Sequence, residues 1–271
     1  MKEKIEKLLH VVKVHCITNY ITAKEVANAI YALGAMPMLA DDPDEVKDMT
    51  AQADALMINI GTLNARTIRS MLKAGLYANA LEKKTIFAPV GAGRSDLRLR
   101  TCEDLLSHVD FDIIVGKPEE LVAILSGKRE GEEKVPATDE ELEQLAKAVS
   151  EEHGCVSVLL GERIIVSDSK DVYRGETLNP GLACCVSIPC ILAGMVSAYV
   201  GADPDSGMAA SITAVKALYE ASELAVHRSK SLGLGTGFLD NLLLSAVDEM
   251  EMTVGISQVP PLFQELKAEK I

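Results

Sequence analysis

Residues Ala53-Asp-Ala-Leu-Met-Ile-Asn-Ile-Gly-Thr-Leu-Asn64 decide the fold. Ala55–Ile60 is apolar at nearly every position rather than at alternate ones, the pattern of a strand covered on both faces. Gly61 and Thr62 end the run, and residues 65–79 continue as an amphipathic helix. The same unit recurs on either side. Met36–Ala40, Thr85–Pro89, Ile113–Val115 and Val156–Leu160 read as buried strands, and residues 23–33, 44–53 and 139–152 as amphipathic helices. Thr138 followed by Glu141 is a capping box that opens the last of these. Strand–helix alternation predicts an α/β fold with a mainly parallel central sheet and helices on both faces.

Past that run the pattern changes. Arg163–Val166 and Asp171–Tyr173 form a predicted hairpin that turns through Ser167–Lys170, and after Pro180 three helices are expected over 184–200, 206–228 and 236–250. A charged helical segment is expected over Met1–Leu9, and a flexible insert over Ser126–Pro136, which is rich in charge and glycine. With no repeats or low-complexity runs, the simplest organisation is one α/β domain over 1–271 with a helical C-terminal third.

Composition excludes several function classes. A net charge of -13 argues against a general nucleic-acid binder or an anionic-membrane binder, both of which need clustered Lys and Arg. With no Trp and 4% aromatic residues, a platform for stacking bases is not expected. The six cysteines make no Cys-x-x-Cys pair and have no His at zinc spacing. The apolar stretch Ile188–Val200 is too short to span a bilayer and the first residues do not read as a secretory signal, so a cytoplasmic protein with reduced thiols is expected.

In a parallel sheet ligands bind at the carboxyl ends of the strands. That directs attention to Thr18–Tyr20, Leu39–Asp42, Gly61–Asn64, Pro89–Gly93, Gly116–Glu120, Gly161–Glu162 and Ser187–Cys190. The Asn19 amide offers a donor and an acceptor to a heteroaromatic ring, or else closes a turn by bonding backbone. Gly61 lets a ligand approach the backbone beside the Thr62 hydroxyl; equally, the pair is a strand–helix turn with a cap. Cys190 is open to two readings, a reactive thiol or a helix-packing residue beside Cys184 and Cys185. Met36, Met38 and Met57 are expected in the core, and the acidic runs Asp41–Asp48 and Glu130–Glu133 are expected to be solvated.

Four segments in register carry a resemblance: His15-Cys-Ile-Thr-Asn-Tyr-Ile-Thr-Ala23, Leu33-Gly-Ala-Met-Pro-Met-Leu-Ala40, Ala53–Asn64 and Pro89-Val-Gly-Ala-Gly93. Together they resemble the hydroxyethylthiazole kinases, thiamine-salvage enzymes of ribokinase-like fold. The resemblance runs over nearly the whole chain and is strongest before residue 100. It implies ATP-dependent phosphorylation of 4-methyl-5-(2-hydroxyethyl)thiazole, magnesium accompanying ATP, and a homotrimer with substrate sites at its interfaces. It places Asn19, Leu39, Gly61, Thr62 and Ser187 against the thiazole, with Leu39 standing where the family usually has Met. Cys190 falls where the family places a Cys near the substrate hydroxyl, and Glu120 falls on the magnesium side.

The same resemblance exposes departures on the phosphate side. Ala88 replaces the acid of Asp-Pro-Val-Gly-Ala-Gly. Val115-Gly-Lys-Pro-Glu-Glu120 replaces Arg-Gly-Asn-x-x-Glu, and Leu160 replaces a Thr that faces nucleotide. So Val115, Lys117 and Leu160 occupy nucleotide positions, with Lys117 either a substitute cation or a plain surface residue. Ser187-Ile-Pro-Cys190 replaces the Gly-x-Gly turn whose bare amides form an anion hole, and Pro189 has no N–H to donate. An impaired kinase is one expectation; a non-catalytic paralogue that binds a small heterocycle, as a sensor or partner subunit, is the other. An enzyme acting on another small alcohol is a third.

Overall fold

The computed structural model describes residues 11–182 and 185–254. Among these, eight strands form one sheet in the order β2-β1-β3-β4-β5-β6-β7-β8. The strands are β1 (Lys13–Ile17), β2 (Met36–Leu39), β3 (Ala55–Asn59), β4 (Lys84–Ala88), β5 (Ile113–Gly116), β6 (Val156–Leu160), β7 (Arg163–Ser167) and β8 (Val172–Thr177). The first six are parallel, and β7 and β8 add antiparallel at one edge. The helices are α1 (Ala23–Ala32), α2 (Val46–Gln52), α3 (Ala65–Ala80), α4 (Asp96–His108), α5 (Pro118–Ser126), α6 (Asp139–His153), α7 (Ile188–Ala202), α8 (Gly207–Leu232) and α9 (Leu239–Val254).

The unbroken apolar runs are explained by two cores, one on each face of the sheet. Ala55 and Met57 of β3 join the layer containing α1, α7, α8 and α9, whereas Leu56 and Ile58 join the layer of α3, α4, α5 and α6. Alternate side chains of a strand point to opposite faces, so a strand covered on both must be apolar throughout. Helix α7 is buried at every residue from Ile188 to Val200. A helix apolar all round is a core helix, and no described helix is long and apolar enough to cross a membrane. The capping box that opens α6 is present: Glu141 N–H donates to Thr138 Oγ1 at 3.2 Å, and Thr138 N–H donates to the Glu141 carboxylate at 3.3 Å.

Four expectations need correction. The helix expected from residue 184 begins at Ile188, placing Pro189 in its first turn, where a missing N–H costs nothing to the helix ladder; Cys184 itself lies outside the described residues, as does Met1–Leu9. The helix expected from 236 opens with a 3-10 turn, Thr236–Phe238, before α9. Ser126 closes α5, so the loop begins at Gly127. Met36 is exposed rather than in the core, because β2 is an edge strand; Met57 is fully buried as expected.

His15 ties β1 to the segment after β2. Its ring is fully buried, with Nε2 2.9 Å from the Ala40 carbonyl oxygen and Nδ1 2.9 Å from Thr50 Oγ1. The carbonyl can only accept, so Nε2 carries the proton and Nδ1 accepts from the Thr50 hydroxyl. Burial lowers the imidazole below its usual value of 6.5, against the opposing pull of the Ala40 carbonyl. The unfolded chain therefore binds a proton at pH values where the folded chain does not, and stability falls as pH drops below 6.5. Thermal melts at pH 7.5 and 5.5 are expected to show a smaller acid-induced drop for His15→Gln than for the parent chain. Equal drops would mean that His15 is not the group responsible.

Candidate functional site

The sheet order reverses at β1, which has β2 on one side and β3 on the other, and this opens a crevice at the strands' carboxyl ends. Asn19 follows β1, and Asn59 ends β3. Both side chains are buried, and both turn toward Cys190 in the first turn of α7. Asn59 Nδ2 lies 3.2 Å from Cys190 Sγ, and Asn19 Nδ2 lies 3.5 Å from the same sulfur. Asn19 Nδ2 is also 3.4 Å from Asn59 Oδ1, which makes the three side chains one cluster.

The two open readings of Asn19 resolve into a division of labour. Its Oδ1 closes the turn, accepting from the N–H groups of Ile21 and Thr22 at 3.0 Å each and from the Thr22 hydroxyl at 3.1 Å. Its Nδ2 is left for the cluster. Gly61 is required by that arrangement, since a Cβ there would stand 2.8 Å from the Asn19 side chain. Thr62 Oγ1 accepts the Tyr20 N–H at 3.3 Å, which joins the loops after β1 and β3. The neighbouring Thr18 hydroxyl is buried with no partner among the described residues. Leu39 is not drawn into the cluster; it stands half-exposed at the end of β2.

Arg98 of α4 braces this end of the sheet. Its guanidinium donates to the carbonyl oxygens of Ile60 at 2.8 Å, Val90 at 2.6 Å and Gly61 at 2.6 Å, so one side chain links the loops after β3 and β4. Glu120 of α5 holds the next loop. One carboxylate oxygen accepts the Gly91 N–H at 2.8 Å and the other the Lys117 N–H at 2.9 Å. Burial pushes its carboxyl above the ordinary range, and the two N–H groups pull the other way. Gly91 can present its amide here because it adopts φ of 70°, a conformation costly for any residue with a Cβ.

The phosphate side looks different. A groove of about 380 Å³ includes Lys117, Leu160, Gly161, Leu178, Ile188 and Pro189 in its lining, and among its lining residues Lys117 is the only cation. Glu162 also lines it, so one positive and one negative charge face the space. Val115 does not line the groove; its side chain is buried in the sheet core on β5. At the start of α7 the Ile188 N–H turns back to the Cys185 carbonyl at 3.4 Å, Pro189 has none, and Ile191 donates to Ser187 at 2.8 Å. Ser187 is the N-cap residue, yet its hydroxyl donates outward to the Asp240 carboxylate at 2.7 Å. A carboxylate thus sits at the helix end that would otherwise attract phosphate.

No group of three His, Cys, Asp or Glu capable of holding a metal occurs among the described residues. Both Glu120 oxygens already accept backbone N–H groups, and Ala88, paired with Asn59 across β3 and β4, brings no ligand. Three residues that shape the site escaped the sequence reading: Asn59, Arg98 and Asp240. A polar residue inside an otherwise apolar strand was the available signal for Asn59. The other two left none.

A family model described as the Hydroxyethylthiazole kinase family matches residues 8–250. The hydroxyethylthiazole kinase of Desulfovibrio desulfuricans is 37% identical over 254 residues, covering 88% of this chain and 89% of that protein. That of Clostridium tetani is 35% identical over 227 residues, covering 81% and 82%. The structure of hydroxyethylthiazole kinase protein from Pyrococcus horikoshii OT3 superposes with a TM-score of 0.79 at 30% identity, covering 92% of this chain and 94% of that one. A ribokinase-like superfamily protein from Enterococcus faecalis shares the fold alone, with a TM-score of 0.62 at 13% identity over 90% of this chain and 88% of that one.

Proposed function

This chain belongs to the hydroxyethylthiazole kinase family, and we propose that it phosphorylates the side-chain alcohol of 4-methyl-5-(2-hydroxyethyl)thiazole with ATP, at a rate held down by its altered phosphate side. The carrying observation is the Asn19–Asn59–Cys190 cluster at the reversal of strand order. In this reading the thiazole ring lies over the Gly61–Thr62 turn, with Asn19, Leu39 and Ser187 around it. Cys190 meets the alcohol through its S–H bond, or through the lone pair left when that proton departs. The alcohol oxygen bonds to the γ-phosphorus and gives up its proton, to the deprotonated Cys190 sulfur or to solvent; the bond from that phosphorus to the bridging oxygen breaks, and ADP leaves. Lys117 and Leu160 face the donor, with Val115 behind them in β5.

Phosphoryl transfer depends mostly on positioning and on neutralising charge. Here the donor's phosphates meet one Lys, a proline in the anion turn and the Asp240 carboxylate, so the ground is poor for charge neutralisation. Magnesium, when present, would neutralise charge on the donor; Glu120 is the remaining family residue on that side, and each of its oxygens keeps a lone pair beside the N–H it accepts. We further assign the whole chain to one domain in the cytoplasm, acting on a small molecule rather than nucleic acid or membrane. It works as a homotrimer, a state supported by the exposed apolar side chains of Tyr20, Ile21 and Leu39 around the substrate-side loops.

The test is mass-detected phosphorylation of hydroxyethylthiazole with magnesium and ATP, with a Cys190→Ala variant in parallel. Slow accumulation of the phosphate ester, slower still but measurable in the variant, is the expected outcome. A parent chain with no product above the blank would overturn the kinase reading.

A further inference from the structure

We propose that Asn59 is a positioning residue: it holds the Cys190 sulfur in one orientation toward the substrate alcohol. This rests on the kinase reading above and deepens it. The direction of the Asn59 amide is fixed by the backbone, because its Oδ1 accepts the Gly61 N–H at 2.8 Å, which leaves Nδ2 to point at the sulfur 3.2 Å away. Asn19 is fixed in the same manner by three donors on its Oδ1, and its Nδ2 reaches the same sulfur at 3.5 Å. Neither amide can flip without leaving buried donors facing one another.

Two N–H groups therefore approach Sγ from the ends of β1 and β3, while the helix backbone of α7 fixes its Cβ. The sulfur of a neutral thiol has two lone pairs, enough to accept both amide N–H groups. The S–H bond, or the lone pair left after its proton departs, is restricted to the remaining direction. Asn59 is fully buried and at the last position of β3, so its placement is as rigid as the sheet itself. A side chain needed only for packing at this point would be apolar like its neighbours Ile58 and Ile60. An amide whose oxygen is tied to the following turn and whose nitrogen reaches α7 has a specific orienting task.

The experiment is a double-mutant cycle of Asn59→Ala and Cys190→Ala, read by kcat and KM for hydroxyethylthiazole and by infrared spectroscopy of the cysteine S–H stretch. Asn59→Ala is expected to lower kcat about tenfold, a part of the 10²–10⁴-fold that a positioned proton-handling group supplies, and to change KM by less than about threefold. In the Cys190→Ala background the same change is expected to cost no further kcat, since no sulfur remains to position. The S–H band assigned to Cys190, by its loss in Cys190→Ala, is expected to shift in Asn59→Ala. Equal kcat losses in both backgrounds, or an unmoved band, would overturn the positioning role while leaving the kinase reading intact. If the parent chain gives no turnover, the kinase reading fails alone, and the infrared shift still decides whether Asn59 orients the sulfur.

Discussion

Replacing Pro189 with glycine is expected to raise the turnover of hydroxyethylthiazole about 100-fold, the lower end of the 10²–10³ that one oxyanion-type donor contributes. Pro189 stands in the first turn of α7, where an ordinary residue would present a free N–H. In the proposed function, restoring that amide returns one donor to the turn that faces the transferring group. The gain stops short of full recovery because the Asp240 carboxylate still occupies the Ser187 hydroxyl and opposes an incoming phosphate. Proline also restricts the unfolded chain, so its loss is expected to cost about 1 kcal/mol of stability. A variant that is slightly less stable yet much faster cannot be explained by improved folding. Unchanged turnover would show that the amide at 189 does not face the transferring group.

The second large effect concerns stability and binding together. Arg98→Leu removes three charge-assisted hydrogen bonds to the carbonyl oxygens of Ile60, Val90 and Gly61. Bonds to charged groups contribute about 1.5–3 kcal/mol each, and bonds that share one side chain do not add fully, so a loss of about 3–4 kcal/mol in denaturant unfolding is expected. The same substitution frees the loops after β3 and β4 that shape the Gly61 turn, and thiazole should no longer raise the melting temperature. Arg100→Leu, on the exposed side of the same helix, is the control, with an expected change within about 0.5 kcal/mol. Similar losses for both variants would mean that the helix rather than the brace is responsible.

Much of the architecture was legible because it follows from local pattern. A strand covered on both faces has to be apolar throughout, so β3 to β6 announce themselves, and the Thr138–Glu141 box marks the start of α6 to the residue. The antiparallel β7–β8 hairpin was likewise readable from its turn. Strand order was not. Nothing in Met36–Leu39 says that β2 lies at an edge, which is why Met36 was expected in the core and is exposed. The start of α7 was set four residues early because the apolar pattern continues back through Cys185; only the preference of proline for a first turn pointed to Ile188.

The site was legible where a family motif marked it and hidden where it depends on distant partners. Asn19, Gly61, Thr62 and Cys190 stand in motif segments, and the geometry brings Asn19 and Cys190 together with Gly61 beneath them. Asn59 meets Cys190 across 131 positions of sequence, Arg98 reaches back to Ile60, and Asp240 meets Ser187 from the far end of the chain. Such contacts are consequences of the sheet reversal and of helix packing, which no single segment encodes. The losses at Ala88 and Pro189 were readable as residue types. Their consequence, a groove with a single cation and a carboxylate at the anion turn, became evident only when the elements were assembled.

In the proposed function, this chain keeps the thiazole side of a kinase and has lost most of the means of handling phosphate. The most direct measurement is a side-by-side time course of thiazole phosphorylation, with both substrates saturating, against the Desulfovibrio desulfuricans relative. The product is expected to form at least about 100-fold more slowly, from the loss of one anion-hole donor alone, with a comparable thiazole-induced rise in melting temperature. Turnover within tenfold of the relative, or a chain whose melting temperature does not respond to thiazole, would contradict it.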